Sequence, residues 1–332
     1  MQMPTEGPLV DPFGRVHTYL RVSVTDRCNY RCVYCMPADG LDWMPKDHLL
    51  TYEEVAKVVG VFERLGITRV RITGGEPTVR TDILTLVEKL GALGLKDLAM
   101  TTNGHLFGKK ARAYAAVGLK RVNVSLDTLD PAQFERITRG GDVHRVLASI
   151  DAAREAGLTP IKVNAVVVAG ENDDQVPALV EHFAPHAADT VIRFIEYMPF
   201  GNDPRRNVPA RVLRERLSER WTLEPEERLV GAGPAKNWRI AETGQVIGFI
   251  SPITEHFCHL CNRLRLMADG HLRTCLSRDD TPSLRDLVRQ GISDDELALA
   301  IRRMVWGKVA GHEAHLEDGF KQFEGVMTRI GG

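Results

Sequence analysis

Short apolar runs alternate with helical patterns from Leu20 to Met198, and this rhythm narrows the fold of the chain more than any other feature. LRVSVT, YEEVAKVVGVFERLG, RVRIT, TDILTLVEKLGALG, LAMTT, KKARAYAAVG, RVNVSL, a further helical stretch, IKVNAVVV, DQVPALVEHFA and TVIRFIEYM follow one another. Six strand signals, each followed by a helix or connection, imply a parallel sheet in an α/β protein. Their regular spacing suits a partial (β/α)6 TIM-like barrel better than an antiparallel sandwich, with a doubly wound open sheet as the alternative. After Met198 the texture changes to PFGNDPRRNVP, a helix-like segment and the glycine-rich GAGPAKN. Residues 1–205 are therefore expected to form the barrel. Residues 206–332 are expected to form a smaller module with strand candidates GQVIGFI, RLRLM and HLRTC before the amphipathic DDELALAIRRMVWGKV.

At 332 residues and 43% hydrophobic, the chain can bury a sizeable core without disulfide staples. No apolar stretch is long enough to span a bilayer, and the start has no signal-peptide pattern, so a soluble cytoplasmic protein is expected. The formal net charge of −1 argues against wholesale attraction to nucleic acid or an anionic membrane, so any anion site must be built locally. Strand parity suggests where. Leu20, Val22 and Val24 can face the helices while Arg21, Ser23 and Thr25 face inward. The same alternation sends Val70 and Ile72 outward and Arg69, Arg71 and Thr73 inward, and separates Ile161 and Val163 from Lys162 and Asn164. Arg193 has apolar same-face neighbours, and Glu196 is a candidate ion-pair partner for it. A lone strand arginine is usually a solvated surface residue, but several inward cations call for a polyanionic ligand or compensating acids.

The six cysteines form two triplets, Cys28, Cys32 and Cys35, then Cys258, Cys261 and Cys275. A cubane iron-sulfur cluster takes four ligands, so each triplet would leave one iron open. The Cys-x3-Cys-x2-Cys spacing of the first triplet differs from the paired cysteines of zinc ribbons. The second triplet by itself favours a structural Cys3His zinc site completed by His259 or His271, and beside the first motif an auxiliary cluster instead. His48, His105, His144 and His182 are scattered and read as surface or packing residues.

The segment TDRCNYRCVYCMP, followed after the second strand by Gly74-Gly75-Glu76-Pro77, resembles the radical S-adenosylmethionine (radical SAM) superfamily. With RITGGEP, TTNG, VNVSLD, RFIEYM, CNRLRL and a terminal Gly-Gly in order, nearly the whole chain resembles the GTP 3',8-cyclase family. These are radical SAM lyases that open molybdenum-cofactor biosynthesis. The resemblance implies two 4Fe-4S clusters, one per triplet, with S-adenosylmethionine on the open iron of the first. It implies cofactor contacts by Tyr34, Gly74, Gly75, Glu76, Ser125 and Met198. GTP contacts are implied for Arg21, Arg69, Arg71, Thr101, Lys162, Arg193, Arg263, Leu264 and Arg265, where Arg69 occupies a basic position that lysine also suits. Arg263, Arg265 and the tail glycines Gly331 and Gly332 are implied in the catalytic step. In that chemistry a 5'-deoxyadenosyl radical takes hydrogen from the ribose 3' carbon, and the carbon radical closes onto guanine carbon 8. The second cluster, its open iron against the guanine, would return an electron. Implied partners are a flavodoxin- or ferredoxin-type reductant, the downstream cyclic pyranopterin monophosphate synthase and a second copy in a homodimer, with no nucleic acid and no membrane. The alternatives are a radical SAM enzyme acting on a peptide or other small molecule, and a non-enzymatic iron-sulfur or zinc protein.

Overall fold

The structure is a computed structural model that describes residues 2–198, 206–226, 233–276 and 281–311. The expected strands form as β1 (Tyr19–Ser23), β2 (Arg69–Thr73), β3 (Asp97–Thr102), β4 (Arg121–Ser125), β5 (Ile161–Val167) and β6 (Thr190–Glu196). Between them run α1 (Tyr52–Arg64), α2 (Ile83–Gly91), α3 (Ala111–Ala116), α4 (Pro131–Thr138), α5 (Val143–Glu155) and α6 (Val176–Phe183). α1 shows why such segments are helical. Thr51 and Glu54 form a reciprocal capping box, and Val55, Val58, Val59 and Phe62, at helical spacing, are buried against the sheet.

The chain continues through α7 (Ala210–Ser218), β7 (Leu223–Glu226), β8 (Lys236–Ile240), β9 (Val246–Ile250), β10 (Arg263–Leu266), β11 (Leu272–Arg273), α8 (Leu284–Arg289) and α9 (Asp294–Trp306). These strands join the same sheet on both flanks, in the order β11-β10-β1-β2-β3-β4-β5-β6-β9-β8-β7. β10 pairs parallel with β1, and β9 pairs parallel with β6.

The sheet is rolled rather than flat. Arg193 on β6 feels the charges of Arg71 on β2 and Tyr19 on β1. Neighbouring strands lie about 4.8 Å apart, so a flat sheet would separate β2 from β6 by roughly 19 Å. Alternation then sorts the side chains. Leu20, Val22, Val70, Ile72, Leu98, Met100, Val122, Val124, Val163 and Ile192 are fully or almost fully buried in the apolar layer under the helices. The other parity faces a polar lumen. Among the described residues, no helix is long and apolar enough to cross a membrane.

Candidate active site

The register sets the lumen out in levels. Arg265, Arg21, Arg71 and Ala99 lie side by side, and Ala99 is followed by Arg121. Thr101, Asn123 and Lys162 form the next level, and Ser125, Asn164, Arg193 and Gly248 the one beyond. Arg71 is only 4% exposed and Lys162 1%. Each cation destabilises its neighbours. Burial first, then Arg193, Arg121 and Arg71, push Lys162 down to about 5. Burial and Arg71 lower Arg193 to about 9. Arg21 falls to about 10 through burial, which Tyr19 opposes and Arg71 and Arg263 reinforce. Arg265 is held well below its ordinary value by burial, then by Arg21 and Arg263. Asp97 compensates Arg121, whose Nε donates to its Oδ1 at 2.9 Å, and Arg71 Nε donates to the Tyr19 hydroxyl at 2.5 Å. Arg71 Nη1, Thr101 Oγ1, Asn123 Oδ1 and Asn164 Oδ1 are buried with no hydrogen-bond partner among the described residues. Converging cations and orphaned polar atoms in one buried lumen make a site shaped for a polyanion with polar substituents.

Glu196 does not serve Arg193. Three residues apart on one strand, the two project to opposite faces. The Glu196 carboxylate instead accepts from the backbone N–H groups of Ala210 (3.1 Å), Ile253 (3.2 Å) and Thr254 (3.1 Å), tying β6 to the chain that follows it. Leu264 likewise turns away from Arg263 and Arg265 and is fully buried in the apolar core, so the side-chain groups offered to the lumen here are the two arginines. Arg69 is half-buried at the β2 start, level with Tyr19 and Asp97.

Cys28, Cys32 and Cys35 lie in the loop leaving β1, and none is in a disulfide. Gly74 and Gly75 fix this loop. The N–H of Gly75 donates to Thr25 O at 2.7 Å and that of Glu76 to Arg27 O at 2.8 Å. A Cβ on Gly75 would lie 2.3 Å from Arg27 O and one on Gly74 2.7 Å from Thr25 O, so no larger residue fits. Glu76, 1% exposed, is a staple between loops. It accepts from the Thr78 N–H at 3.0 Å, the Thr78 hydroxyl at 2.6 Å, the Thr102 hydroxyl at 2.8 Å and the Asn103 N–H at 2.6 Å. Asn103, which strand parity did not flag, reaches Cys28 Sγ at 3.9 Å and Asn29 Oδ1 at 2.9 Å. The Tyr34 hydroxyl donates to Asp127 Oδ2 at 2.6 Å, while Asp127 Oδ1 accepts from the Val166 N–H at 2.9 Å. Ser125 ends β4 beside Asn164 and is half-buried, as is Met198 beyond β6.

The second triplet lies at the other mouth. Cys261 precedes β10, whose first residue Arg263 is level with Tyr19 at the β1 start, and Cys275 follows β11, which runs back beside β10. From Tyr19 to Ser23 a strand rises ~13 Å at about 3.3 Å per residue, so the two triplets face each other through the lumen. Burial raises the Cys261 thiol, but Arg263 and then Lys308 outweigh it and bring the thiol down to about 7. His271 turns to Asp269, with Nδ1 3.1 Å from Oδ1.

Both thiol sets fit iron-sulfur ligation by chemistry and grouping. Cys35 and Cys28 each act electrostatically on Cys32, and Lys308 feels both Cys261 and Cys275. Among the described residues no three His, Cys, Asp or Glu side chains close on one point as ligands of a single ion. A four-iron cluster seats each thiolate on a different iron and so takes a wider spread. For S-adenosylmethionine, the orphaned Asn164 Oδ1, level with Ser125 at the end of β4, offers an acceptor. His105 is a packing residue, edge-on to Tyr30 at 5.4 Å and 3.0 Å from its hydroxyl. Gly331 and Gly332 lie outside the described residues. Sequence reasoning missed Asn237, buried on β8 opposite Gly248, with both amide atoms unpartnered among the described residues. The signal was faint, a single asparagine in a strand otherwise rich in charge and tryptophan.

Comparison with known proteins agrees with this geometry. Residues 22–183 match the family model described as the radical SAM superfamily, and residues 190–314 match Molybdenum Cofactor Synthesis C. GTP 3',8-cyclase from Mycobacterium sp. (strain KMS) is 45% identical over 99% of this chain and 95% of its own length. The GTP 3',8-cyclase of Caulobacter vibrioides is 44% identical, also over 99% and 95%. In fold, the chain is similar to Streptococcus suis SuiB bound to precursor peptide SuiA, with a TM-score of 0.63 and 17% identity over 88% of this chain and 66% of that one. With identity at this level along almost its full length, and with two cysteine triplets facing each other across a cationic lumen, the chain belongs to the GTP 3',8-cyclase family of radical SAM enzymes.

Proposed function

We propose that this chain converts GTP to 3',8-cyclo-7,8-dihydro-GTP inside the lumen, with the triphosphate held by Arg21, Arg71, Lys162 and Arg193 and the guanine turned toward Arg263, Arg265 and the second triplet. The observation that carries the reading is the cationic lumen between two opposed triplets, since neither a peptide radical site nor an iron-sulfur carrier needs that many buried arginines. When bound, the first cluster and S-adenosylmethionine would supply the hydrogen-abstracting radical chemistry, and the second cluster would supply the electron that, with a proton, is needed after ring closure. The protein contributes placement. Arginine forks grip phosphate oxygens and fix the ribose toward the first triplet. Thr101, Asn123 and Asn164 offer the hydrogen bonds that orient sugar and cofactor, and the apolar layer behind the sheet keeps bulk water out. Tyr34, Gly74, Gly75, Ser125 and Met198 line the cofactor end, where the glycines and Glu76 act by holding the cysteine loop in place.

Gly331 and Gly332, outside the described residues, are proposed to take part in the catalytic step. The division at residue 205, the flavodoxin- or ferredoxin-type reductant, transfer to cyclic pyranopterin monophosphate synthase, homodimerisation and a cytoplasmic setting belong to the same proposal. Anaerobically reconstituted protein given reductant, S-adenosylmethionine and GTP should yield 5'-deoxyadenosine and the cyclised nucleotide in equal amounts. 5'-Deoxyadenosine without nucleotide product would sink the substrate assignment. Absence of both would sink the radical chemistry.

A further inference from the structure

Buried cations also stand outside the lumen, Arg302 of α9 among them. Lys308, just past the end of α9, is 4% exposed. Its ammonium lies 3.9 Å from Cys261 Sγ and donates to Arg263 O at 2.9 Å, with a further hydrogen bond to Thr274 O. These acceptors are a ligand thiol, the residue two beyond Cys261 and the residue before Cys275. The amine therefore bridges the two separate pieces of chain that carry those cysteines. Arg15 grips the first of these pieces at its other cysteine, three residues before Cys261. Its Nη1 donates to Cys258 O at 2.8 Å, and its Nη2 to Val309 O at 2.7 Å, next to Lys308 itself. Arg15 is in turn held by Asp11, 2.6 Å from its Nε, and Asp11 is fully buried. A buried ammonium is costly unless partnered, and the partners here are two carbonyls and the sulfur side of the triplet.

We propose that Lys308, backed by Arg15, is a positioning residue for the second cluster, locking its three cysteines into one frame and placing a positive charge beside Cys261 that makes this cluster easier to reduce. The physical basis is general. Charge and hydrogen bonds at the ligand sulfurs set the potential of an iron-sulfur centre, and a nearby cation favours the state holding the extra electron. The inference rests on a cluster being bound at the second triplet, and wild-type iron and sulfide content tests that assignment independently. It concerns electron supply at the second mouth and assigns Lys308 no contact with substrate.

The experiment compares wild type with Lys308→Met, Lys308→Gln and Lys308→Arg after anaerobic reconstitution. Iron per chain is measured, and each cluster's midpoint potential is read by redox-titrated electron paramagnetic resonance. Lys308→Met is expected either to load both clusters with the second shifted to a more negative potential, or to lose the second cluster while keeping the first. Lys308→Arg is expected to restore loading and most of the potential. Full loading with the second potential unchanged in Lys308→Met overturns the proposal, as does an equal shift in both clusters. Should Lys308→Met fail to fold, Lys308→Gln, which keeps donors for the carbonyls but no charge, is judged by the same two readouts. An unshifted second potential there would equally overturn the charge role.

Discussion

Lys162 carries the clearest consequence of the lumen's electrostatics. Burial and three arginines bring it down to about 5, which favours the neutral amine at neutral pH. A triphosphate favours the charged form, raising the lysine's pKa on binding. Binding must then take up a proton, and GTP affinity must fall as pH rises from about 5 toward the higher value of the bound state. Calorimetry of GTP binding at pH 7 in two buffers of different ionisation heat should show this uptake, and Lys162→Met should abolish it. That variant should also weaken binding roughly 10-fold or more, given about 1.5–3 kcal/mol for a charge-assisted hydrogen bond. Undiminished proton uptake in Lys162→Met would place the effect elsewhere. At this scale the sequence was readable for Arg21, Arg71 and Lys162, because strand parity alone turns them inward. For Arg193 and Glu196 the same parity separates them, three residues apart on one strand, and pairing them overlooked it; Asn103 was not readable, because its role depends on where a neighbouring loop folds back.

At the scale of elements, the cysteine loop is held by the turn after β2 more than by its own sequence. Gly75 donates to Thr25 O, and a Cβ there would press on Arg27 O at 2.3 Å. Gly75→Ala should therefore push the loop outward at a cost of about 1–3 kcal/mol, the usual range for overpacking. The expected phenotype is selective, with bound iron falling to about half while the second cluster's spectrum persists. Normal loading of both clusters would show that the turn yields without moving the cysteines. The GGEP motif is thus legible as a glycine-rich turn from sequence. That its glycines are required by close backbone approach, and its glutamate by four converging donors, follows only from the loops that meet there.

Across the whole molecule, the C-terminal strands do more than append a module. β10 covers one edge of β1 and β9 one edge of β6, so a fragment ending at residue 205 would expose both edges and lack Arg263 and Arg265. Unpaired parallel edges are association sites. Size-exclusion chromatography of residues 1–205 should show aggregate or insoluble material, and a monodisperse, cooperatively unfolding fragment would contradict this.

The sequence by itself determined the βα order, the faces of the first strands and the grouping of six thiols into two sets, because each depends on periodicity or spacing along a few consecutive residues. Tertiary structure alone decided that the second set lies at the opposite end of the lumen from the first, that Glu196 serves α7 and the 253–254 backbone, and that Lys308 stands behind Cys261. Those relations join residues far apart in the chain, and they are fixed by which strand edges pair and how the sheet rolls, choices made by the burial of the whole core and invisible to any local pattern.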